Sequence, residues 1–371
     1  MSTTVYNVGV IGYGLSAKVF HIPFVELTPS LKLYAIVQRH PAPGNSAPED
    51  FPTSTTGVAH LTSVDALLAD PAVDVVIITT PPNTHFELAS AALRHGKHVL
   101  VEKPFVPTSK QAYELDALAR ERGVVLCVYQ NRRWDSDFLT VQHLVATNEL
   151  GRIVEFETHF DRLRLEKPTS WKGSLKMDEG GGVLYDLGTH LLDQVFVLFG
   201  MPSAVSAKFV NQREGRIAAG EEPDSVSIVL TYAATGLLVF VRIGVISVET
   251  HQMRFWVRGT KGSYHKTGLD SQEDHLRGGG RPTDSDFGRE SISEFDRLCI
   301  VGEDGRVERR PCPTVEPQTY RRFYERFAKA IATRDPSDIP VPATEAAKVL
   351  AIIEAARESA RTSVDTSPIV P

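Results

Sequence analysis

The residues of this chain with the types and spacing for chemistry fall into four clusters. The first, Gly12-Tyr13-Gly14-Leu15-Ser16-Ala17, follows the short apolar run Tyr6 to Ile11 and opens an amphipathic stretch. In such a strand-to-helix turn Gly12 permits the tight bend and Gly14 lets the backbone approach a pyrophosphate. Ala17 keeps the helix close to its strand, and the helix N-terminus supplies amide donors and the positive end of its dipole. The second cluster, Gln38-Arg39, stands at the end of the next apolar run, where an NAD-selective site usually has an acid for the ribose diol. No acid stands there; Gln38 does not repel a 2′-phosphate and Arg39 can hold one, so NADP is expected over NAD. The third is Glu102-Lys103-Pro104, which places a lysine at the carboxyl end of a strand. The fourth is the pair Asp186 and His190, four residues apart in a Gly-rich entry to an apolar helix. That spacing puts a carboxylate and an imidazole on one helix face, where the acid can orient the base. A histidine near neutrality can take a hydroxyl proton while hydride leaves the same carbon, and a lysine ammonium can stabilise the oxyanion in the reverse direction. Either cluster alone also reads as a buried polar pair with a structural role.

These residues need a scaffold, and the first third of the chain reads as one. Apolar runs at Tyr6 to Ile11, Leu31 to Val37, Val73 to Ile78, His98 to Val101 and Val124 to Tyr129 alternate with helical stretches at 16–27, 64–68, 84–95 and 109–122. Unbroken Val/Ile strands between helices predict a doubly wound parallel α/β sheet of the Rossmann type. After Trp134 the strands lengthen and alternate, at 153–162, 204–211, 225–232, 237–245 and 253–258, with a hairpin turn at Ala233 to Gly236. This predicts a C-terminal α+β domain with a large, mostly antiparallel open sheet. The expected division is a dinucleotide-binding domain over 1–133 and a substrate-binding and oligomerisation domain over 134–371. Helices are expected at 317–332 and 343–360, a frayed tail after Thr362, and a surface loop or lid over 268–286. Alternating Val239, Val241 and Ile243 are expected to face outward and be covered by a twin subunit, giving a homodimer or a higher even oligomer.

The 371 residues exceed what one core usually serves, and composition is that of an ordinary globular protein. A formal charge of −6 without a basic block argues against nucleic acid or an anionic membrane as partner and for a small molecule. Cys127, Cys299 and Cys312 are odd in number and lack CxxC spacing, so no disulfide framework and no metal site are expected. The N-terminus lacks the features of a secretory signal, and no apolar run reaches the roughly 20 residues of a membrane helix, so a cytoplasmic protein is expected.

Nearly the whole chain resembles the glucose-fructose oxidoreductase, inositol dehydrogenase and rhizopine-catabolism (Gfo/Idh/MocA) family. The resemblance rests on Gly12-Tyr13-Gly14, on 80–85 (Thr-Pro-Pro-Asn-Thr-His), on Glu102-Lys103-Pro104-Phe105 and on 181–193, from Gly181 through Asp186 and His190 to Asp193. More narrowly, residues 11–16, 130–138 and 268–273 are similar to the NADP-preferring scyllo-inositol dehydrogenase branch. The resemblance implies an NAD(P)-dependent oxidoreductase acting on a hydroxyl or carbonyl carbon of a polyol, a sugar or a related compound, with Lys103, Asp186 and His190 at the reacting carbon. It further implies that Thr80, Pro81, Asn83, His85, Glu102 and Asn131 line the cofactor channel together with the loop residues Gly12 to Ser16, and that Trp171 and Lys172 approach the nicotinamide end. Trp171 equally suits a core anchor. The alternatives are a non-catalytic dinucleotide-binding regulator of the same fold and an imine or biliverdin-type reductase.

Overall fold

A strand whose every residue is Val or Ile must be covered on both faces, and Val75–Ile78 in the N-terminal third is wholly buried. Residues 4–218, 222–290 and 296–370 are described by the computed structural model of the chain. Among them, β1 (Tyr6–Ile11), β2 (Leu31–Val37), β3 (Ala59–Leu61), β4 (Val75–Ile78), β5 (His98–Glu102) and β6 (Leu126–Tyr129) form one sheet in the order β3-β2-β1-β4-β5-β6. Every neighbouring pair is parallel. Strand order therefore reverses direction between β1 and β4, the place where open α/β sheets leave a crevice at their carboxyl ends. The turns that carry Gly12, Gln38, Thr80, Lys103 and Asn131 all leave from that one edge.

The described chain divides into two compact units, and neither is continuous. Where the sequence draws a single boundary at 133, Glu273–Phe287 and Thr319–Ala347 fold with the first unit. The helix Thr319–Thr333 shows why: Tyr320, Phe323, Tyr324 and Phe327 recur at helical spacing and are all buried. Phe24 stacks on Tyr324 with ring centroids 5.7 Å apart, and the Val128 amide donates to the Val341 carbonyl at 3.1 Å. The stretch expected as a loop or lid contains the helix Gln272–Arg277, and Leu276 and Phe287 are buried.

In the second unit, β7 (Ile153–Asp161), β8 (Ala204–Asn211), β9 (Arg216–Ile217), β10 (Ser225–Tyr232), β11 (Leu237–Gly244), β12 (Met253–Gly259), β13 (Gly262–Thr267), β14 (Arg297–Val301) and β15 (Val307–Arg310) form a sheet ordered β15-β14-β13-β12-β7-β11-β10-β8-β9. Its pairs are antiparallel except β11 with β7. The face expected to be outward is the inner one: Val239, Val241 and Ile243 are buried. A Cβ on Gly188 would meet the Ile243 side chain at 3.3 Å, so this face packs on the helical segment that carries Asp186 and His190. Because side chains alternate, choosing the wrong face displaces every residue of the strand. The solvent face instead bears Leu238, Phe240 and Arg242 of β11, Trp256 of β12, and His159, which lies 3.2 Å from Glu157 and 3.0 Å from Asp161.

The helix Ser136–Ala146 is held to this sheet by buried charges. Arg254, 1% exposed, donates to Asp137 at 2.8 Å, Thr158 at 3.0 Å and Gln194 at 2.7 Å. Nearby, Lys266 pairs with Glu290 at 2.7 Å and Asp296 at 2.9 Å, and the Ser136 hydroxyl donates to Asp270 at 2.7 Å and Glu290 at 3.2 Å. Burial, and then the charge of Asp137, push the Glu290 carboxyl up to about 7 against the opposing pull of Lys266. The tail expected to fray is tied down: Thr366 and Val205 exchange both backbone hydrogen bonds, and the Ser367 hydroxyl donates to the Ser203 carbonyl. The exposed backbone of an edge strand offers such a tail a partner. Among the described residues no helix is long and apolar enough to cross a membrane, and no group of three or more His, Cys, Asp or Glu side chains could hold a metal ion.

Candidate active site

The glycine loop has the geometry its spacing implies. Gly12 sits at φ +99°, and a Cβ there would lie 2.8 Å from the Thr79 hydroxyl and 3.2 Å from its carbonyl, so only glycine fits. A Cβ on Gly14 would meet nothing within 4 Å, which leaves open space for a phosphate to approach the backbone. Ala17 is fully buried, and Leu15 is 53% exposed beside the loop. The first amides of the helix that follows have no preceding-turn carbonyls to bond, so they are available to an anion. Ala17–His21 forms a wide turn with i→i+5 bonding before the α-helix Ile22–Leu27, a widening that recurs at functional sites.

Tyr13 is turned inward. Its hydroxyl donates to Asp50 at 2.6 Å, and Lys18, whose ammonium lies 4.5 Å from the Tyr13 ring centroid, donates to the same carboxylate at 3.0 Å. The Tyr13 bond and then Lys18 hold Asp50 below the usual carboxylate range. Gln38 is a staple: its amide donates to the Asn45 carbonyl at 2.7 Å and accepts from the Ala47 amide at 2.8 Å. Arg39 and His40 beside it are exposed.

Thr80 and Thr84 share a hydroxyl hydrogen bond of 2.7 Å; Pro81 is half-buried and Asn83 exposed, while Asn131 is buried at the end of β6. His85 is wholly buried and braces two loops at once. One ring nitrogen lies 2.8 Å from the Thr80 carbonyl and the other 3.0 Å from the carbonyls of both Pro104 and Phe105. Burial lowers its pKa. Lys103, half-buried, emerges from β5 between this brace and Glu102, whose Oε2 accepts the Lys103 amide at 2.8 Å. The other oxygen, Oε1, accepts the Ser16 hydroxyl of the glycine loop and lies 3.0 Å from His21. One carboxylate thus joins the loop shaped for phosphate to the backbone of the lysine.

In the second unit, Trp171 is 43% exposed at the start of the short helix Trp171–Ser174, so it is no core anchor. Lys172 next to it donates to both oxygens of Asp186, at 3.2 and 3.3 Å. Close backbone contacts seat this segment. A Cβ on Gly173 would lie 1.8 Å from the Pro168 carbonyl oxygen, and one on Gly181 would lie 2.1 Å from that of Leu175. Asp186 belongs to a second wide turn, Leu184–Gly188, and His190 is buried in the first turn of the helix Thr189–Phe199. The Lys172–Asp186 pair is not part of the sequence reading, which joins Asp186 to His190 alone and anticipates an ordinary helix rather than a widened turn at Asp186.

Sequence reasoning missed His21 and Tyr324, whose hydroxyl lies 2.6 Å from His21 Nδ1. The available signal was a histidine set in the apolar run Phe20-His21-Ile22-Pro23-Phe24, immediately after the glycine loop. Also missed was Arg357, which bonds the Tyr185 hydroxyl at 3.3 Å and pairs with Asp178.

Both parts of the chain are similar to known proteins. Residues 6–130 match the NAD-binding Rossmann-fold domain of an oxidoreductase family, and residues 142–368 match the C-terminal alpha/beta domain of the same family. The chain is 36% identical over 356 residues to the scyllo-inositol 2-dehydrogenase (NADP(+)) IolW of Bacillus subtilis, covering 96% of this chain and 94% of that protein. It is 38% identical over 365 residues to an uncharacterized oxidoreductase of Schizosaccharomyces pombe, covering 95% and 97%. The crystal structure of an oxidoreductase from Bacillus cereus superposes with a TM-score of 0.85 at 32% identity, covering 99% of each chain.

Proposed function

The chain belongs to the Gfo/Idh/MocA oxidoreductase family, and from that premise we propose that it is an NADP-dependent dehydrogenase or reductase acting on a CH–OH or C=O carbon of a small polyol or sugar. The observation that carries the reading is the Glu102 carboxylate, which bonds Ser16 of the glycine loop and the Lys103 amide together. A dinucleotide suits the loop because Gly12 makes the bend, Gly14 leaves space, and exposed Arg39, with no acid beside it, favours a 2′-phosphate. When bound, the nicotinamide supplies the hydride acceptor or donor. Gly12 to Ser16, Arg39, Thr80, Pro81, Asn83 and Asn131 would hold the dinucleotide, with Trp171 and Lys172 toward its nicotinamide end. His190 takes the hydroxyl proton, Asp186 sets its charge environment, and the Lys103 ammonium stabilises developing negative charge on oxygen. Gln38, Tyr13, His85 and Glu102 act behind these groups, a role their hydrogen bonds to the surrounding loops support.

The three free thiols support a reducing, cytosolic setting. The solvent face of the second sheet, with Leu238, Phe240 and Trp256 among opposite charges, supports a two-fold homo-oligomer through that face, which light scattering of the parent and of Trp256→Glu tests.

The decisive assay follows nicotinamide absorbance with NADP and NAD over a panel of polyols, aldoses and ketones. Turnover is expected for at least one substrate. Lys103→Ala and His190→Ala are expected to lower it by about 10² to 10⁴ while leaving dinucleotide titrations unchanged. Parental turnover in either variant removes the assigned role, and an inert parent across the panel removes the reading.

A further inference from the structure

His21 is fully buried in the wide turn that continues the glycine loop, and both of its ring nitrogens are engaged. Tyr324, also fully buried, reaches Nδ1 at 2.6 Å, and the Tyr129 ring lies against the imidazole with centroids 4.4 Å apart. Burial, and then the neighbouring Tyr129 and Glu102, hold the Tyr324 hydroxyl in its protonated form. A protonated phenol beside Nδ1 donates to it, and its longer 3.3 Å approach to the Phe20 carbonyl is the weaker claim on the proton. The hydrogen-bond network then assigns the ring proton to Nε2, which donates to Glu102 Oε1 at 3.0 Å. Burial works against charge on Glu102. The His21 bond, the charge of Lys103 and the Ser16 bond outweigh it, and the carboxyl lies below its usual range. The charged or titratable groups facing this carboxylate are His21, Lys103 and, at longer range, His85 and Tyr324.

We infer that Tyr324 and His21 are positioning residues: through a buried relay they fix the Glu102 carboxylate, and with it set both Ser16 of the dinucleotide loop and Lys103. The donor sequence runs one way, from the Tyr324 hydroxyl to Nδ1, from Nε2–H to Oε1, while the Ser16 hydroxyl and the Lys103 amide complete the carboxylate's shell. Removing the Tyr324 hydroxyl leaves the buried Nδ1 unmatched, and removing His21 takes one of the two donors from Oε1. The kinetic part of this inference rests on the hydride-transfer reading, whereas its binding part needs only the loop.

The test uses the full chain carrying Tyr324→Phe, His21→Leu or His21→Gln, with NADPH titrated by fluorescence and kcat measured on the best substrate of the panel. Removing a hydrogen bond to a charged group predicts that His21→Leu weakens NADPH binding about tenfold or more, and that Tyr324→Phe weakens it roughly threefold to tenfold. Both should also lower kcat in the same order, because the carboxylate that accepts the Lys103 amide is no longer held in place. His21→Gln, which keeps an N–H donor, should restore most of both. If His21→Leu does not fold, Tyr324→Phe carries the test, since it deletes one oxygen and keeps the ring. Folded Tyr324→Phe with the parental Kd and parental kcat overturns the inference, even if its melting temperature falls. A parent inert on every substrate, whose variants nevertheless lose NADPH affinity in this order, overturns the hydride-transfer reading and upholds the relay.

Discussion

Replacing Arg39 with Ala separates cofactor choice from cofactor binding. Arg39 is exposed beside the end of β2, and its guanidinium makes no ion pair among the described residues, so its loss leaves the fold intact. A charge-assisted contact contributes about 1.5–3 kcal/mol, and solvent screening at an exposed position trims this to about 1–2 kcal/mol. Preference for NADP should therefore fall roughly fivefold to thirtyfold, with NAD affinity unchanged. Because screening reaches about 8 Å at physiological ionic strength, the parental preference should also narrow as salt rises, and the variant's should not. Titration of both dinucleotides at two salt concentrations measures this. A variant that keeps the full preference, or a parent that binds NAD and NADP equally, shows that Arg39 is only a solvated surface charge. An acid at position 38 is a poorer probe than the sequence alone suggests. Gln38→Glu would set a carboxylate oxygen where an amide now donates to the Asn45 carbonyl at 2.7 Å, and would disturb the loop before it met any ribose.

The remaining expectations concern the second unit. Arg254→Met strands the buried carboxylate of Asp137, and the cost should be about 3–5 kcal/mol in urea unfolding; an unchanged midpoint contradicts the network. The Glu290 carboxyl sits at about 7 in the folded chain against an ordinary 4.5. Between those values the folded state holds the proton more tightly than the unfolded state, so stability should fall as pH rises through that window. Glu290→Gln should flatten the slope, and an identical slope in the variant assigns it to another group. Gly181→Ala forces a methyl within 2.1 Å of the Leu175 carbonyl oxygen and shifts the segment bearing Trp171 and Lys172. A displacement near 1 Å lowers kcat about 10²-fold, whereas parental kinetics show that this seat has no part in turnover.

The glycine loop and the β5 lysine were legible because each is a local pattern whose geometry the backbone imposes within a few residues, whereas at Asp186 the pattern located the segment but not its widened turn. The parallel sheet was legible for the same reason, since runs such as Val75–Ile78 admit water on neither side. What escaped depends on distant partners. Alternation in β11 separates Val239 from Leu238 but does not say which side meets the helix. β15 is exposed at all of its positions and carries no apolar signal. His21 finds its meaning in Glu102, 81 positions away, and in Tyr324, 303 positions away. Gln38, read as tolerant of a phosphate, turned out to be occupied by its own loop.

A ribosome delivers the first unit in an inconvenient order. The parallel sheet is complete once Tyr129 has emerged, yet Tyr324 and Val341, which supply the hydroxyl for His21 and the carbonyl for Val128, emerge only after β15. Until then the nascent sheet carries an unmet amide on β6 and, behind its glycine loop, an imidazole whose Nδ1 lacks its donor. Chains stalled before residue 319 are accordingly expected to be substrates for chaperones and proteases, and dinucleotide affinity should appear only once Tyr324 has emerged.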